Sequence, residues 1–198
     1  MILVHEMGHV LAMRYYGLNA SPPIFIPFVG ALINLRQQPP NAKVEAIVGI
    51  GGPVTGTLGA MACFVAYQFV PQYPILLNLA FWGFFLNLFN MVPVPPLDGG
   101  RVTAAVSPWI WMLGIVAIVG MFVANYVFFH QISYITILVL VFAWPRIRAT
   151  LAQRGRDNPY YHISRTASIS IGVAYVLLGA ILLTFFILAL SQAHFIMM

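Results

Sequence analysis

Residues 46–97 read AIVGIGGPVTGTLGAMACFVAYQFVPQYPILLNLAFWGFFLNLFNMVPVPPL, without one Asp, Glu, Lys or Arg. A helix needs about 20 apolar residues to cross a bilayer, so this stretch holds more than one crossing segment. The same absence of charge recurs over 102–145 and from Thr166 to the end. Helices are expected at about 1–16, 44–70, 75–92, 108–129, 132–150 and 166–192. The whole-chain numbers agree: of 198 residues, 61% are hydrophobic and 7% charged, against about 25% charged in a soluble domain. This composition excludes a soluble globular domain, a disordered chain and a disulfide-stapled secreted module. The single cysteine, Cys63, has no internal partner. The net charge of +5 is concentrated in one loop rather than spread over a face, which excludes nucleic acid as a partner. The fold class is therefore an all-α polytopic membrane protein with about six hydrophobic helices.

Residues 22–40 form a separate unit, bracketed by Pro22-Pro23 and Pro39-Pro40. Within it, Ile24-Phe25-Ile26 and Ala31-Leu32-Ile33-Asn34-Leu35 flank Gly30. That pattern predicts two short strands around a turn, a small membrane-associated β-hairpin near residues 23–36. A sheet edge is not tolerated against lipid, so the hairpin is expected against protein or at the interface. The first helix ends at Gly17 and reaches only about 24 Å, short of the roughly 30 Å hydrocarbon core. It lacks the charged flank and cleavage site of a signal peptide, and the preferred expectation is an upstream piece that this chain lacks.

The loop at 145–165 carries Arg146, Arg148, Arg154, Arg156 and Arg165 against a single Asp157. The positive-inside bias makes it cytoplasmic. Counting helices backward puts the 22–43 segment and the 98–107 loop on the same side, and the C-terminus outside.

His5-Glu6-Met7-Gly8-His9 is the strongest local signal. On a helix, residues four apart share a face, so two imidazoles can bind one metal ion while the intervening Glu acts as general base. Three ionisable groups in five residues of an apolar helix are expensive to bury and mark a functional site. A catalytic zinc takes three protein ligands, and the downstream acids are Glu45, Asp98 and Asp157. Glu45 opens a helix beside Lys43 and is expected as a solvated helix start. Asp157 sits in the basic loop. Asp98 ends an apolar segment in Pro93-Val94-Pro95-Pro96-Leu97-Asp98-Gly99-Gly100, where Pro and Gly break the helix and free backbone groups, and it is the best third-ligand candidate. Arg101 is expected to anchor the following turn at the headgroups. His130, His162 and His194 lie at loop or helix ends and are expected as interfacial polar residues.

His5-Glu6-Met7-Gly8-His9 together with Asn90-Met91-Val92-Pro93-Val94-Pro95-Pro96-Leu97-Asp98-Gly99-Gly100 resembles the site-2 protease family of intramembrane zinc metalloproteases. The resemblance implies one zinc ion per chain on His5, His9 and Asp98, with Glu6 as the catalytic acid/base. It also implies a catalytic role for Asn90, which stands eight residues before the Asp, in a hydrogen bond to the substrate or its oxyanion. Asn87, one turn earlier, is expected only to satisfy a buried neighbour. The hairpin resembles strands that hold a substrate extended by edge pairing. The implied activity is hydrolysis of a peptide bond in or near a transmembrane segment of a membrane-protein substrate. The lipid bilayer is the other expected partner, and the positive-inside orientation predicts a prokaryotic cytoplasmic membrane with the active site toward the cytoplasm.

The resemblance covers most of 1–107, a catalytic membrane core, while 108–198 add further transmembrane helices and the basic loop. One departure stands in Gly51-Gly52-Pro53-Val54-Thr55-Gly56, which resembles a second family motif in which many members carry Asn at the position of Gly56. The four-residue spacing of Gly52, Gly56 and Ala60 also reads as a close helix-packing face. Two readings from other classes use the same residues. One is an ion or proton transporter relaying through His5, Glu6, His9 and Asp98; the other is a catalytically inactive membrane scaffold. The sequence does not specify the oligomeric state.

Overall fold

The computed structural model describes residues 1–19, 24–26, 30–32, 39–130, 132, 134–154 and 158–196. Among these it is a helical protein: α1 (Ile2–Tyr15), α2 (Ala42–Phe69), α3 (Pro74–Asn90), α4 (Asp98–Val106), α5 (Ile110–Phe129), α6 (Tyr134–Arg154) and α7 (Arg165–Ile196). A single 3-10 turn, Pro159–Tyr161, precedes α7. Strands β1 (Ile24–Ile26) and β2 (Gly30–Leu32) pair antiparallel, Ile24 opposite Leu32, and β2 passes beside α1. The remainder of the expected 23–36 unit lies outside the described residues.

Helix α2 is the hub, packed on α1, α3, α4 and α7. It starts at Asn41, whose side chain accepts from the Val44 N–H at 3.0 Å, and so satisfies one of the donors a helix start leaves free. On its α3 and α7 side, Ala60, Phe64, Leu77, Ala80, Phe84 and Leu182 form a buried core. Within it the Phe84 and Phe185 rings stack at 5.6 Å. Large apolar side chains of α5 and α7, among them Val116, Val123, Val176 and Leu177, are exposed, which marks these faces as lipid- or protein-facing.

Each of the six stretches expected to be helical is a helix: α1, α2, α3, α5, α6 and α7. Among the described residues, three helices are long and apolar enough to cross a membrane by length and composition: Ala42–Phe69, Ile110–Phe128 and Arg165–Ala193. The apolar α3 is shorter. Helix α1 has 14 residues and carries His5, Glu6, His9 and Arg14, and the arginines of α6, Arg146, Arg148 and Arg154, lie in its C-terminal half.

The expectation of a loop at 98–107 is corrected, because Asp98–Val106 is helix α4. Locally, Asp98-Gly99-Gly100 has the composition of a turn. Tertiary contact decides otherwise, because the 91–97 segment folds over the N-terminus of α4. A Cβ on Gly99 would strike Met91 O, and one on Gly100 would strike the backbone at Val94 and Pro95. The Trp111 indole N–H then pins the first turn by donating to Gly100 O at 2.9 Å.

Candidate metal centre

Helix α1 presents His5 and His9 on one face, against α2 and the start of α4. His5, His9 and Asp98 are all buried. His5 Nε2 and His9 Nε2 lie 3.1 Å apart. Asp98 Oδ2 lies 3.1 Å from the first and 3.2 Å from the second. The motif and the distant acid are thus brought to one point. Among the described residues these are the only His, Cys, Asp or Glu side chains grouped so that they could hold a metal ion.

The hydrogen bonds around the two rings fix which nitrogens face each other. His9 Nδ1 lies 2.7 Å from Val48 O; a carbonyl only accepts, so Nδ1 carries a proton and, in the neutral ring, Nε2 presents the lone pair. His5 Nδ1 lies 2.8 Å from Asn87 Oδ1. The Asn87 amide nitrogen donates to Gly83 O at 2.7 Å, which leaves its oxygen for the ring. His5 Nδ1 is therefore the donor, and in the neutral ring its Nε2 also carries a lone pair. Two imidazole lone pairs and a carboxylate oxygen then converge. Such an arrangement repels itself unless a cation lies between, and the donor set suits zinc, which takes His nitrogen and Asp oxygen. A tetrahedral ion with bonds of ~2.0–2.1 Å spaces its ligand atoms about 3.3 Å apart, close to the observed separations.

Two glycines of α2 make the room. A Cβ on Gly52 would fall 2.8 Å from His5 Nε2 and closer still to His9 Nε2, inside the space between the rings. One on Gly56 would strike the Asn87 amide. The gap left at Gly56 is thus filled by an asparagine side chain from α3. Asn87, expected only to satisfy a buried neighbour, is fully buried and is the residue that orients His5.

Glu6 is half-buried on α1, near enough to interact electrostatically with His9, His5 and Asp98. Asn90 lies one turn beyond Asn87, half-buried, and donates to Leu86 O at 3.1 Å; it has no hydrogen bond to the cluster among the described residues. The expectation for Glu45 as a solvated helix start is corrected. Its Oε1 lies 3.6 Å from Arg101 Nε, and its Oε2 accepts from the Tyr160 hydroxyl at 2.6 Å. Arg101, expected at the headgroups, instead points inward, with Nη1 3.9 Å from Asp98 Oδ1. Burial, and then the Glu45 carboxylate, hold the Tyr160 phenol above its usual range, so it remains a proton donor. The helix-start position of Glu45 gave no sign of these partners, since Tyr160 is 115 positions away.

Residues 1–81 match the model of peptidase family M50. A zinc metalloprotease of Methanocaldococcus jannaschii is 27% identical over 109 residues, 53% of this chain and 31% of that protein. A putative zinc metalloprotease of Mycobacterium tuberculosis, Rip3, is 29% identical over 113 residues, 52% of this chain and 28% of its own length. A second, putative zinc metalloprotease of M. jannaschii is 31% identical over 86 residues, 41% of this chain and 42% of the relative. The chain thus matches less than half the length of each. The resemblance read from the two motifs holds, and the relatives named for their activity are all named zinc metalloproteases.

Proposed function

We propose that this chain carries the catalytic centre of an intramembrane zinc endopeptidase of the site-2 protease type. The observation that supports the reading best is the convergence of His5 Nε2, His9 Nε2 and Asp98 Oδ2, with both rings turned by acceptors on α2 and α3. One zinc ion held by these three residues would supply Lewis acidity, activating water and polarising the scissile carbonyl. Val48 O and Asn87 Oδ1 hold the imidazoles in the ligating tautomer. Glu6, on the same helix between the two histidines, takes the proton of the attacking water on its carboxylate and delivers it to the leaving amine. Asn90 holds the developing oxyanion through an amide N–H; one of its two N–H groups remains when the other is bonded to Leu86 O. Burial of the three ligating side chains keeps bulk water from the centre.

On this reading residues 1–107 are the catalytic core and 108–198 are additional membrane helices around the basic 145–165 loop. The substrates are transmembrane proteins or peptides, and the site opens toward the cytoplasmic side of a prokaryotic membrane. A substrate helix hides its carbonyls in hydrogen bonds, so it must unwind before cleavage.

The test is metal content of detergent-purified protein, followed by cleavage of a transmembrane peptide. About one zinc per chain is expected, lost in His5→Ala and Asp98→Ala. Glu6→Gln should keep the metal and lose at least about 100-fold in turnover. Wild-type protein that takes up no zinc after resupply refutes the reading and favours a scaffold. Glu6→Gln cleaving at the wild-type rate refutes the assignment of the base.

A further inference from the structure

We propose that Arg101, Glu45 and Tyr160 form a positioning chain through which the segment before α7 holds Asp98 in its ligating orientation. The proposal rests on the metal-centre reading above and concerns residues that neither motif includes.

The two oxygens of Asp98 have different neighbours. Oδ2 faces His5 and His9, while Oδ1 faces Arg101 Nη1 at 3.9 Å. A carboxylate on a single rotatable arm can turn either oxygen, or neither, toward the rings. A fixed positive charge beside Oδ1 favours the observed orientation. Arg101, one turn along α4, is a long side chain that does not fix itself. Its Nε is buried and makes no hydrogen bond. What faces that nitrogen is Glu45 Oε1, 3.6 Å away on α2. Glu45 in turn has its second oxygen taken by the Tyr160 hydroxyl at 2.6 Å.

Each carboxylate therefore spends one oxygen inward, toward the metal centre, and one outward. Tyr160 closes the chain from the far side. Its ring is itself anchored, packed with Tyr161 and Ile163 against Ala42, Ala46, Val102 and Ala105. The side chains of Arg101 and Glu45 are only 21% and 20% exposed, so salt screens their attraction less than that of a surface pair. The geometry thus ties a turn in the C-terminal half of the chain to one candidate ligand.

The experiment uses the full chain in detergent, with Co2+ as a spectroscopic probe and Zn2+ affinity measured by chelator competition. Tyr160→Phe removes one hydroxyl and Glu45→Gln removes one charge. Each should weaken metal affinity roughly tenfold, the lower end of what loss of an outer partner costs, and should shift the cobalt absorption band. The double variant should be no weaker than Glu45→Gln alone, because Tyr160 acts through Glu45. A purely structural role would lower the melting temperature and leave the cobalt band in place. Normal wild-type binding with unchanged affinity and spectrum in Tyr160→Phe and Glu45→Gln overturns the chain alone, as do fully additive losses. A wild-type protein that binds neither metal overturns the metal-centre reading and this proposal with it.

Discussion

Gly52→Ala should destroy the metal centre without touching a ligand. The added Cβ would lie 2.8 Å from His5 Nε2 and 2.6 Å from His9 Cε1, where ordinary contact begins at 3.4 Å. His5 must then retreat by about 0.6 Å, whereas metal–ligand distances hold to within roughly 0.2 Å. The rings have little room to give. Each is fixed at its other nitrogen, by Asn87 Oδ1 at 2.8 Å and Val48 O at 2.7 Å. Moving a ring outward compresses that bond, and rotating it breaks the bond. Zinc affinity should therefore fall by at least about 100-fold, beyond the usual effect of an outer partner. The assay is chelator competition on purified protein, with helicity and melting followed in the same detergent. Gly179→Ala is the matched control, since its Cβ meets nothing within 4 Å, and it should bind like wild type. A folded Gly52→Ala protein with affinity within about threefold of wild type would refute the argument, because it would put the rings elsewhere than between α1 and Gly52.

Asn87→Ala should weaken zinc binding about tenfold by releasing His5 Nδ1, whereas Asn90→Ala should leave zinc content unchanged and lower kcat. Equal loss of metal in both variants would contradict the separate roles assigned to the two asparagines. Trp111→Phe should destabilise the folded protein by about 1 kcal/mol, the worth of one buried hydrogen bond, because it removes the donor to Gly100 O. An unchanged melting curve in that variant would mean that the indole does not hold the first turn of α4.

The parts of the site legible in the sequence are those whose geometry is local. His5 and His9 stand four apart on a helix, and the helix alone places them on one face. Asp98 was reachable by elimination, because few acids remain in so apolar a chain. The helix at Asp98-Gly99-Gly100 was not reachable that way. Its residues have turn composition, and they are helical because the 91–97 segment lies across them, at a distance only glycine permits. The six stretches expected to be helical appear as α1, α2, α3, α5, α6 and α7, because long apolar runs in a chain this poor in charge are legible locally.

The outer partners of the metal centre were illegible for a different reason. An imidazole nitrogen needs an acceptor, but nothing in its own sequence says which one. Asn87 is 82 positions from His5, and on its own helix it is one more polar residue near Asn90. Its role appears only when α3 is laid on α2, where Gly56 leaves a hole of the size of its amide. The polar group beside His5 thus comes from the facing helix, where a motif search along one helix cannot find it. Glu45 misleads in the opposite direction. Beside Lys43 at a helix start it reads as solvated, and it would be, if Tyr160 did not fold over it. A local charge pattern reports solvent only where no distant segment returns to cover it, and around this centre the covering segment comes from the half of the chain that carries neither motif.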